Sequence, residues 1–253
     1  MNRCCVNVQC FVVLALLVAS GFCGSTRAET ASHGLFQTGV DSFHAGEYAI
    51  AATAFRQAAA ARPSSGALQN LGLAEWQLGQ TGPAVLAWEQ ALWLDPFNGA
   101  VRENLRFARK TAQLESPELA WYEVVSTWLP MNAWAWVAGA SLWGAVGLLI
   151  LPGIFRLRRA AWHQAVAAVG FALFLLCLPA HLGVDTRSRM GFIIQKDTPL
   201  RLTPTEDAQT VTRLAPGEPV RLQRVHGRFV LLRTNRALGW VKRDEFAPIC
   251  PGT

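Results

Sequence analysis

The chain has 253 residues, of which 51% are hydrophobic and only 16% are charged, and its net charge is +6. Soluble domains carry about 25% charged residues, so part of this chain is expected to lie out of contact with water. The composition excludes an intrinsically disordered chain and a long coiled coil, since both require more charge. Ten tryptophans against two tyrosines also point to a membrane interface, where tryptophan is enriched.

The first 28 residues have the pattern of a secretory signal peptide. Arg3 supplies the positive amino-terminal region, an apolar stretch follows at residues 11–19, and Thr26 and Ala28 place small residues at the cleavage positions. We predict a signal peptide over residues 1–28, with an uncleaved anchor as the alternative. Removal of this segment leaves only Cys177 and Cys250, so neither a disulfide framework nor a paired-cysteine metal site is expected.

A repeat with a period of 33 residues follows the predicted signal. The matching pairs are Gly39 and Gly72, Gly46 and Gly79, Ala51 and Ala84, Phe55 and Trp88, Ala58 and Ala91, and Pro63 and Pro96. This pattern resembles the tetratricopeptide repeat and predicts two helical hairpins over residues 32–64 and 65–98, with a capping helix that extends the unit to residues 32–114. Because a stack of fewer than about three repeats is rarely stable alone, we expect an outside contact from the membrane or another subunit.

The resemblance also implies a concave groove that binds a peptide. Its lining residues would be Phe36, Val40, Phe43, Asn70, Leu73, Trp76, Gln77 and Phe107. The basic residues with which chaperone-binding members hold a C-terminal carboxylate are replaced here, so an apolar or mixed groove is expected. The alternative interpretation is that these aromatic side chains pack against one another or lie on the bilayer.

Two uncharged segments, residues 124–155 and 160–184, predict transmembrane helices at 132–152 and 162–184. Ala140 and Gly144, together with Gly147, in the first helix would allow close packing against the second. Before the first segment, Ser116, Pro117 and Glu118 form a helix-start pattern and predict an interfacial helix over residues 116–130. The basic loop at 156–161 is expected in the cytoplasm. Both flanking domains would then face the extracytoplasmic side, in agreement with the signal peptide.

The C-terminal region, residues 190–250, has the pattern of a small all-β barrel. Residues 185–253 contain 12 Lys and Arg against 7 Asp and Glu, a net charge of +5. Short alternating segments predict five strands at residues 191–196, 211–214, 220–225, 229–233 and 239–241. Leu200, Arg201 and Pro204, followed by the strand that contains Trp240, resemble a bacterial SH3 domain. We predict a contact surface formed by Arg201, Pro204, Phe229 and Trp240, with a core position for Trp240 as the alternative.

Signs of catalysis are missing from the sequence. The five histidines are scattered and have no ligand spacing. The sequence contains no phosphate-binding loop, dinucleotide fingerprint or nucleophile elbow. We therefore predict a protein that is not an enzyme and that has no catalytic residue, cofactor or metal site.

The fold class predicted is a multidomain membrane protein: all-α tetratricopeptide-repeat hairpins, a two-helix transmembrane hairpin and a small all-β SH3-like barrel. This order, with the segments WLPMNAWAW at 128–136 and DTPLRLTPT at 197–205, is similar to the BatE-type proteins of the Bat (Bacteroides aerotolerance) group. The resemblance implies a multi-pass protein of the bacterial cytoplasmic (inner) membrane, with both domains in the periplasm.

Two functions are weighed for such a protein. The first is a non-catalytic scaffold that binds protein partners, including von Willebrand factor A-type Bat membrane proteins, and contacts membrane lipid. The alternative is a peptidoglycan-binding module that positions a hydrolase or a stress-defence enzyme at the cell wall. No nucleic-acid partner is expected.

Overall fold

The computed structural model describes residues 25–154 and 161–250. Within them, eight α-helices are followed by a seven-stranded antiparallel sheet. The helices are α1 Ser25–His44, α2 Tyr48–Ala61, α3 Ser65–Gln77, α4 Thr81–Leu94, α5 Gly99–Ala112, α6 Trp121–Ser126, α7 Met131–Ile154 and α8 Ala161–Ser188. The strands are β1 Met190–Ile193, β2 Thr198–Arg201, β3 Thr210–Leu214, β4 Pro219–His226, β5 Phe229–Arg233, β6 Leu238–Lys242 and β7 Phe246–Pro248.

Two predicted segments lie largely outside the described residues. Of the predicted signal peptide, only residues 25–28 are described, and they belong to the first turns of α1. Of the predicted basic loop at 156–161, only residue 161 is described, as the first residue of α8.

Helices α1–α5, which we call the repeat helices, form two antiparallel hairpins and a fifth helix. A methyl group on Gly39 would lie 2.7 Å from the ring of Phe55, and one on Gly72 would collide with the indole of Trp88. The two rings fill the space between helices that approach closely at glycine. The 33-residue period thus places a glycine and a large ring at equivalent positions of both hairpins, and each ring packs within its own hairpin.

The turns of the repeat helices also follow the sequence pattern. Gly46 and Gly79 have positive φ angles of 80° and 71°, a backbone conformation that glycine adopts without steric cost. At the next helix starts, the Ser64 hydroxyl accepts a hydrogen bond from the Ala67 N–H, and Asn98 caps α5 in the same way. The hairpins therefore begin and end where local turn chemistry places them.

Helices α7 and α8 form an antiparallel pair, which we call the apolar hairpin. Their segments Asn132–Ile150 and Trp162–Ser188 are long and apolar enough to cross a membrane. The small residues that pack the two helices differ from those predicted. Gly170 of α8 lies against Ser141 and Ala145 of α7, whereas Ala140 and Gly144 are exposed.

The segment between the repeat helices and the apolar hairpin, residues 113–130, is called here the junction segment. The prediction of a helix from Ser116 was wrong: the helix α6 begins at Trp121 and has six residues. Its start is fixed by the Glu123 carboxylate, which accepts a hydrogen bond from the Ala120 N–H at 2.8 Å. The preceding residues have no regular secondary structure and contact the C-terminal sheet.

The C-terminal sheet has the strand order β3-β2-β6-β5-β4-β1-β7. Each predicted strand is present, but β2 and β7 were not predicted. The sheet has its own buried core, which consists of Ile193, Leu200, Leu214, Val220, Val230, Leu232, Val241 and Phe246. Gly217 and Gly227 have positive φ angles of 88° and 58°, in the turn before β4 and in the turn between β4 and β5.

The C-terminal sheet packs directly on the repeat helices. Met190, Phe192 and Ile249 are buried in the same cluster as the core of the hairpins. The amide of Gln90 in α4 donates a hydrogen bond to the Pro248 carbonyl at 3.2 Å. The stabilising contact expected from a membrane or another subunit is thus provided in part by the chain's own C-terminal region.

Candidate binding site

The predicted groove residues of α1 and α3 contribute to the core as well as to the surface. Phe36, Val40, Phe43, Leu73 and Trp76 are partly buried and pack against the cluster at the centre of the hairpins. Their burial favours a structural role for most of their apolar surface. Of the two polar groove residues, Asn70 is half-buried and Gln77 is exposed.

An aromatic patch remains accessible where α3 meets α5. The ring of Trp76 lies 6.0 Å from that of Trp88 and 5.8 Å from that of Phe107, with Phe107 edge-on. Phe107 is 59% exposed, so the row of rings runs from the core to the solvent. An exposed ring held by a buried one is a suitable anchor point for a protein partner.

The C-terminal sheet brings three of its four predicted contact residues onto one face. Arg201 of β2 is the register partner of Trp240 in β6. Phe229 of β5 is paired with Lys242, which lies two residues after Trp240 in β6. Because side chains alternate between faces, Arg201, Trp240 and Phe229 share the less buried face. Pro204 lies in the loop after β2.

A buried ion pair connects the C-terminal sheet to the junction segment. Both terminal nitrogens of Arg221 in β4 donate to the Glu123 carboxylate, at 2.6 and 2.7 Å, and one also donates to the Glu118 carbonyl at 2.9 Å. The Glu123 side chain is 1% exposed. Burial acts to raise its pKa, but hydrogen bonds from Arg221 and Ala120 outweigh that effect, so the pKa lies below its ordinary value.

A second ion pair reinforces this attachment at the surface. Arg236, in the turn between β5 and β6, binds the carboxylate of Glu115 in the junction segment, and Asn235 lies 3.4 Å from the same group. Sequence reasoning missed both ion pairs. Single charged residues in an extended segment and in a strand give no signal that they meet.

The repeat helices contain two ion pairs with the charges exchanged: Arg56 and Glu89 are equivalent in the 33-residue period, and their partners lie on the next helix in each case. Arg56 in α2 pairs with Glu75 in α3, and Glu89 in α4 pairs with Arg109 in α5. Burial raises the pKa of the Glu89 carboxyl above its ordinary value, although Arg109 and Arg187 lower it in part. The basic residue Arg187, near the end of α8, therefore lies close to this second pair.

A cavity of about 600 Å³ opens beside Glu89. It is bounded by the repeat helices, the junction segment and the start of the C-terminal sheet, and its polar lining includes Arg102, Arg109 and Arg187. The sequence analysis did not identify it, because its residues come from four separate parts of the chain.

Within residues 25–154 and 161–250, no group of three His, Cys, Asp or Glu side chains could hold a metal ion. Cys177 and Cys250 are both free thiols. Comparison with protein-family models, with curated proteins and with solved structures gives no match to the chain.

Proposed function

We propose that the chain is a non-catalytic scaffold of the BatE type, anchored in a bacterial cytoplasmic membrane by the apolar hairpin. Its repeat helices, interpreted as tetratricopeptide repeats, and its C-terminal sheet, interpreted as an SH3-like barrel, would bind protein partners in the periplasm. The partners implied by the resemblance are von Willebrand factor A-type membrane proteins. The observation that carries this proposal is the exposed Phe107 ring, which rests on the partly buried Trp76.

The attachment between the two folded parts supports a scaffold role. Repeat helices and C-terminal sheet share one buried cluster, and the Glu123–Arg221 ion pair holds the sheet against the segment that enters the apolar hairpin. Two contact surfaces on such a framework keep a fixed separation and orientation. A partner that touches both binds more tightly than one that touches either surface alone.

The test is co-purification of the full chain with a co-expressed von Willebrand factor A-type membrane protein of the Bat group in mild detergent. Wild type is expected to retain the partner, and Phe107→Ala is expected to lose most of it, because truncation of an interface anchor costs about 2 kcal/mol or more. The matched control is Ile50→Ala in α2, which is 54% exposed and lies outside the aromatic patch. Equal retention by all three chains, or no retention by wild type, would argue against the scaffold.

Peptidoglycan binding is supported by a different observation. In the described part of the chain, one terminal nitrogen of Arg201 is buried and has no hydrogen-bond partner, and it belongs to the face that carries Trp240 and Phe229. Arg201 as a whole is only partly buried, so an anionic group of the cell wall that approaches this face would pair with its charge. If this function holds, the full chain in detergent sediments with purified peptidoglycan and Arg201→Gln sediments less. Arg106→Gln is the control, because Arg106 is an exposed arginine of α5 that lies outside the C-terminal sheet.

A further inference from the structure

The cavity beside Glu89 lies where the apolar hairpin joins the rest of the protein. Trp128 on its rim precedes the start of α7 by three residues, and Arg187 is the penultimate residue of α8. Because α7 and α8 are antiparallel, the N-terminal end of α7 and the C-terminal end of α8 are adjacent. The cavity is therefore at the level at which both apolar segments end.

The polar lining of the cavity carries an excess of positive charge. Arg102, Arg109 and Arg187 are opposed there by one carboxylate, Glu89. Arg109 pairs with Glu89, and the other nearby carboxylate, Glu123, is bound by Arg221.

Arg187 is held in place by two neutral groups, and the carboxylates near it, Glu89 and Glu123, are already paired with Arg109 and Arg221. Its guanidinium carbon lies 5.0 Å from the centre of the Trp93 ring, and one nitrogen donates to the Ser126 hydroxyl at 3.2 Å. Arg102 is exposed, and among the described residues its guanidinium makes no ion pair or hydrogen bond. Two guanidinium groups thus remain available to a negatively charged ligand.

The remaining lining is apolar and partly exposed. Phe97 and Trp128 are each 62% exposed, and Leu92 and Leu119 continue the apolar surface inward. Tryptophan at the end of an apolar helix is typical of the membrane–water interface. A ligand here must combine an anionic head with an apolar body.

We propose that this cavity binds an anionic phospholipid, with the headgroup phosphate between Arg102 and Arg187 and the first part of the acyl chains along Trp128 and Phe97. The inference goes beyond the scaffold function and rests only on insertion of the apolar hairpin in a bilayer. A soluble acidic peptide offers the same charge, but it leaves unexplained why the arginines lie at the end of two apolar helices. A lipid reaches this level without leaving the bilayer.

The test measures lipid binding to the purified full chain in a neutral detergent by native mass spectrometry. The probes are phosphatidylglycerol and phosphatidylcholine with identical acyl chains. Wild type is expected to prefer phosphatidylglycerol, and Arg102→Gln is expected to weaken that preference about fivefold, since one basic residue near an anionic lipid surface contributes about that factor. Arg102 is exposed and unpaired, so its replacement leaves the fold intact.

Arg106→Gln is the matched control, because Arg106 lies one turn further along α5, has the same charge and pairs with the exposed Glu103 outside the cavity. It should keep the wild-type preference. Equal loss in both variants would reduce the effect to general surface charge and overturn the site. Full displacement of the lipid by soluble glycerol phosphate or by an acidic peptide at equal concentration would also overturn it, since the apolar contacts would then contribute nothing.

Failure of this site and failure of the proposed function give different results. If the chain does not float with vesicles of either lipid, the membrane anchor itself is wrong. If it floats with both but shows no preference for phosphatidylglycerol, the anchor holds and the lipid site is wrong. Loss of the protein partner in the Phe107→Ala experiment affects neither the flotation result nor the measured lipid preference.

Discussion

The Glu123 carboxylate shows how one residue can determine the position of a whole domain. It accepts hydrogen bonds from Arg221 in β4 and from the N–H of Ala120, the residue before α6. Removal of one member of a buried ion pair leaves the other charge uncompensated, which costs more than the intact pair contributes. The chain is therefore expected to tolerate changes at Glu123 poorly.

Glu123→Gln should lower the free energy of unfolding by about 2 kcal/mol, since Arg221 keeps partial access to water. The measurement is denaturant and thermal unfolding of the full chain in detergent, followed by tryptophan fluorescence. Glu118→Gln is the control, because Glu118 is exposed and offers Arg221 only its backbone carbonyl. Equal destabilisation by the two substitutions would show that the carboxylate of Glu123 has no special role.

Glu123 and Glu89 should give the stability opposite dependences on pH. The pKa of Glu123 is lowered from 4.5, so its contribution is present above that value and is lost as the pH falls through the folded-state pKa. The pKa of Glu89 is raised from 4.5, so between this value and the folded-state pKa the folded state binds more protons than the unfolded state. The protein therefore loses stability as the pH rises between these two pKa values.

We therefore predict two opposite trends in melting temperature between about pH 3 and pH 8. The advantage of wild type over Glu123→Gln shrinks toward acid pH. Glu89→Gln, in contrast, gains stability relative to wild type as the pH rises above about 4.5. Parallel profiles for wild type and both variants would contradict the opposite roles of the two carboxylates.

At the scale of the elements, close approach at glycine determines how the helices of each hairpin pack. Gly72→Ala should destabilise the protein by about 1–3 kcal/mol, because the added methyl group displaces the buried Trp88 ring from a packed core. Gly66→Ala in the same helix is the control: a methyl group there meets no atom within 4 Å. It should stabilise the chain by about 0.5–1 kcal/mol through helix propensity. Thermal unfolding of both variants in detergent tests the pair, and destabilisation by Gly66→Ala to the same extent as by Gly72→Ala would contradict the packing explanation, because alanine favours the helix and meets no neighbour at position 66.

The elements that the sequence predicted well are those with a strong local signal. The 33-residue period and the turn glycines indicated the hairpins, and the lack of charge indicated α7 and α8. Strand β2 was missed because Pro199 interrupts its pattern, and β7 because it has three residues. The helix predicted from Ser116 did not form there, since the irregular chain at this point contacts the C-terminal sheet through Glu115 and Glu118.

At the scale of the whole molecule, the candidate binding sites also divide into those with a local sequence signal and those formed by residues far apart in the chain. Local patterns indicated that Trp76, Phe107 and Trp240 could form contact surfaces. The attachment between the two folded parts depends instead on residues far apart in the chain, such as Glu123 and Arg221, which are 98 positions apart. Lone charged residues in unrelated elements carry no periodicity, and the cavity that they help to form could not be predicted from them.

The shared core determines on which side of a membrane the two folded parts can lie. Met190, Phe192 and Ile249 of the C-terminal region are buried together with the core of the repeat helices. The antiparallel apolar hairpin brings the chain back to the side from which it entered. A bilayer crossed by α7 and α8 therefore leaves the repeat helices and the C-terminal sheet on one side, whichever side that is.

Labelling of single cysteines with a membrane-impermeant maleimide tests this arrangement. A cysteine at Gln37 in α1 or at Asp207 in the loop after β2, both exposed, is introduced into a chain whose other cysteines are replaced by alanine. Because both positions belong to parts that share one core, they should react to the same extent in intact spheroplasts, before lysis, if the proposed periplasmic orientation holds. Reaction of both only after lysis would keep the shared side but reverse the orientation. Reaction of one before lysis and the other only after it would separate the two parts by the bilayer and contradict the packing of Met190, Phe192 and Ile249 against the repeat helices.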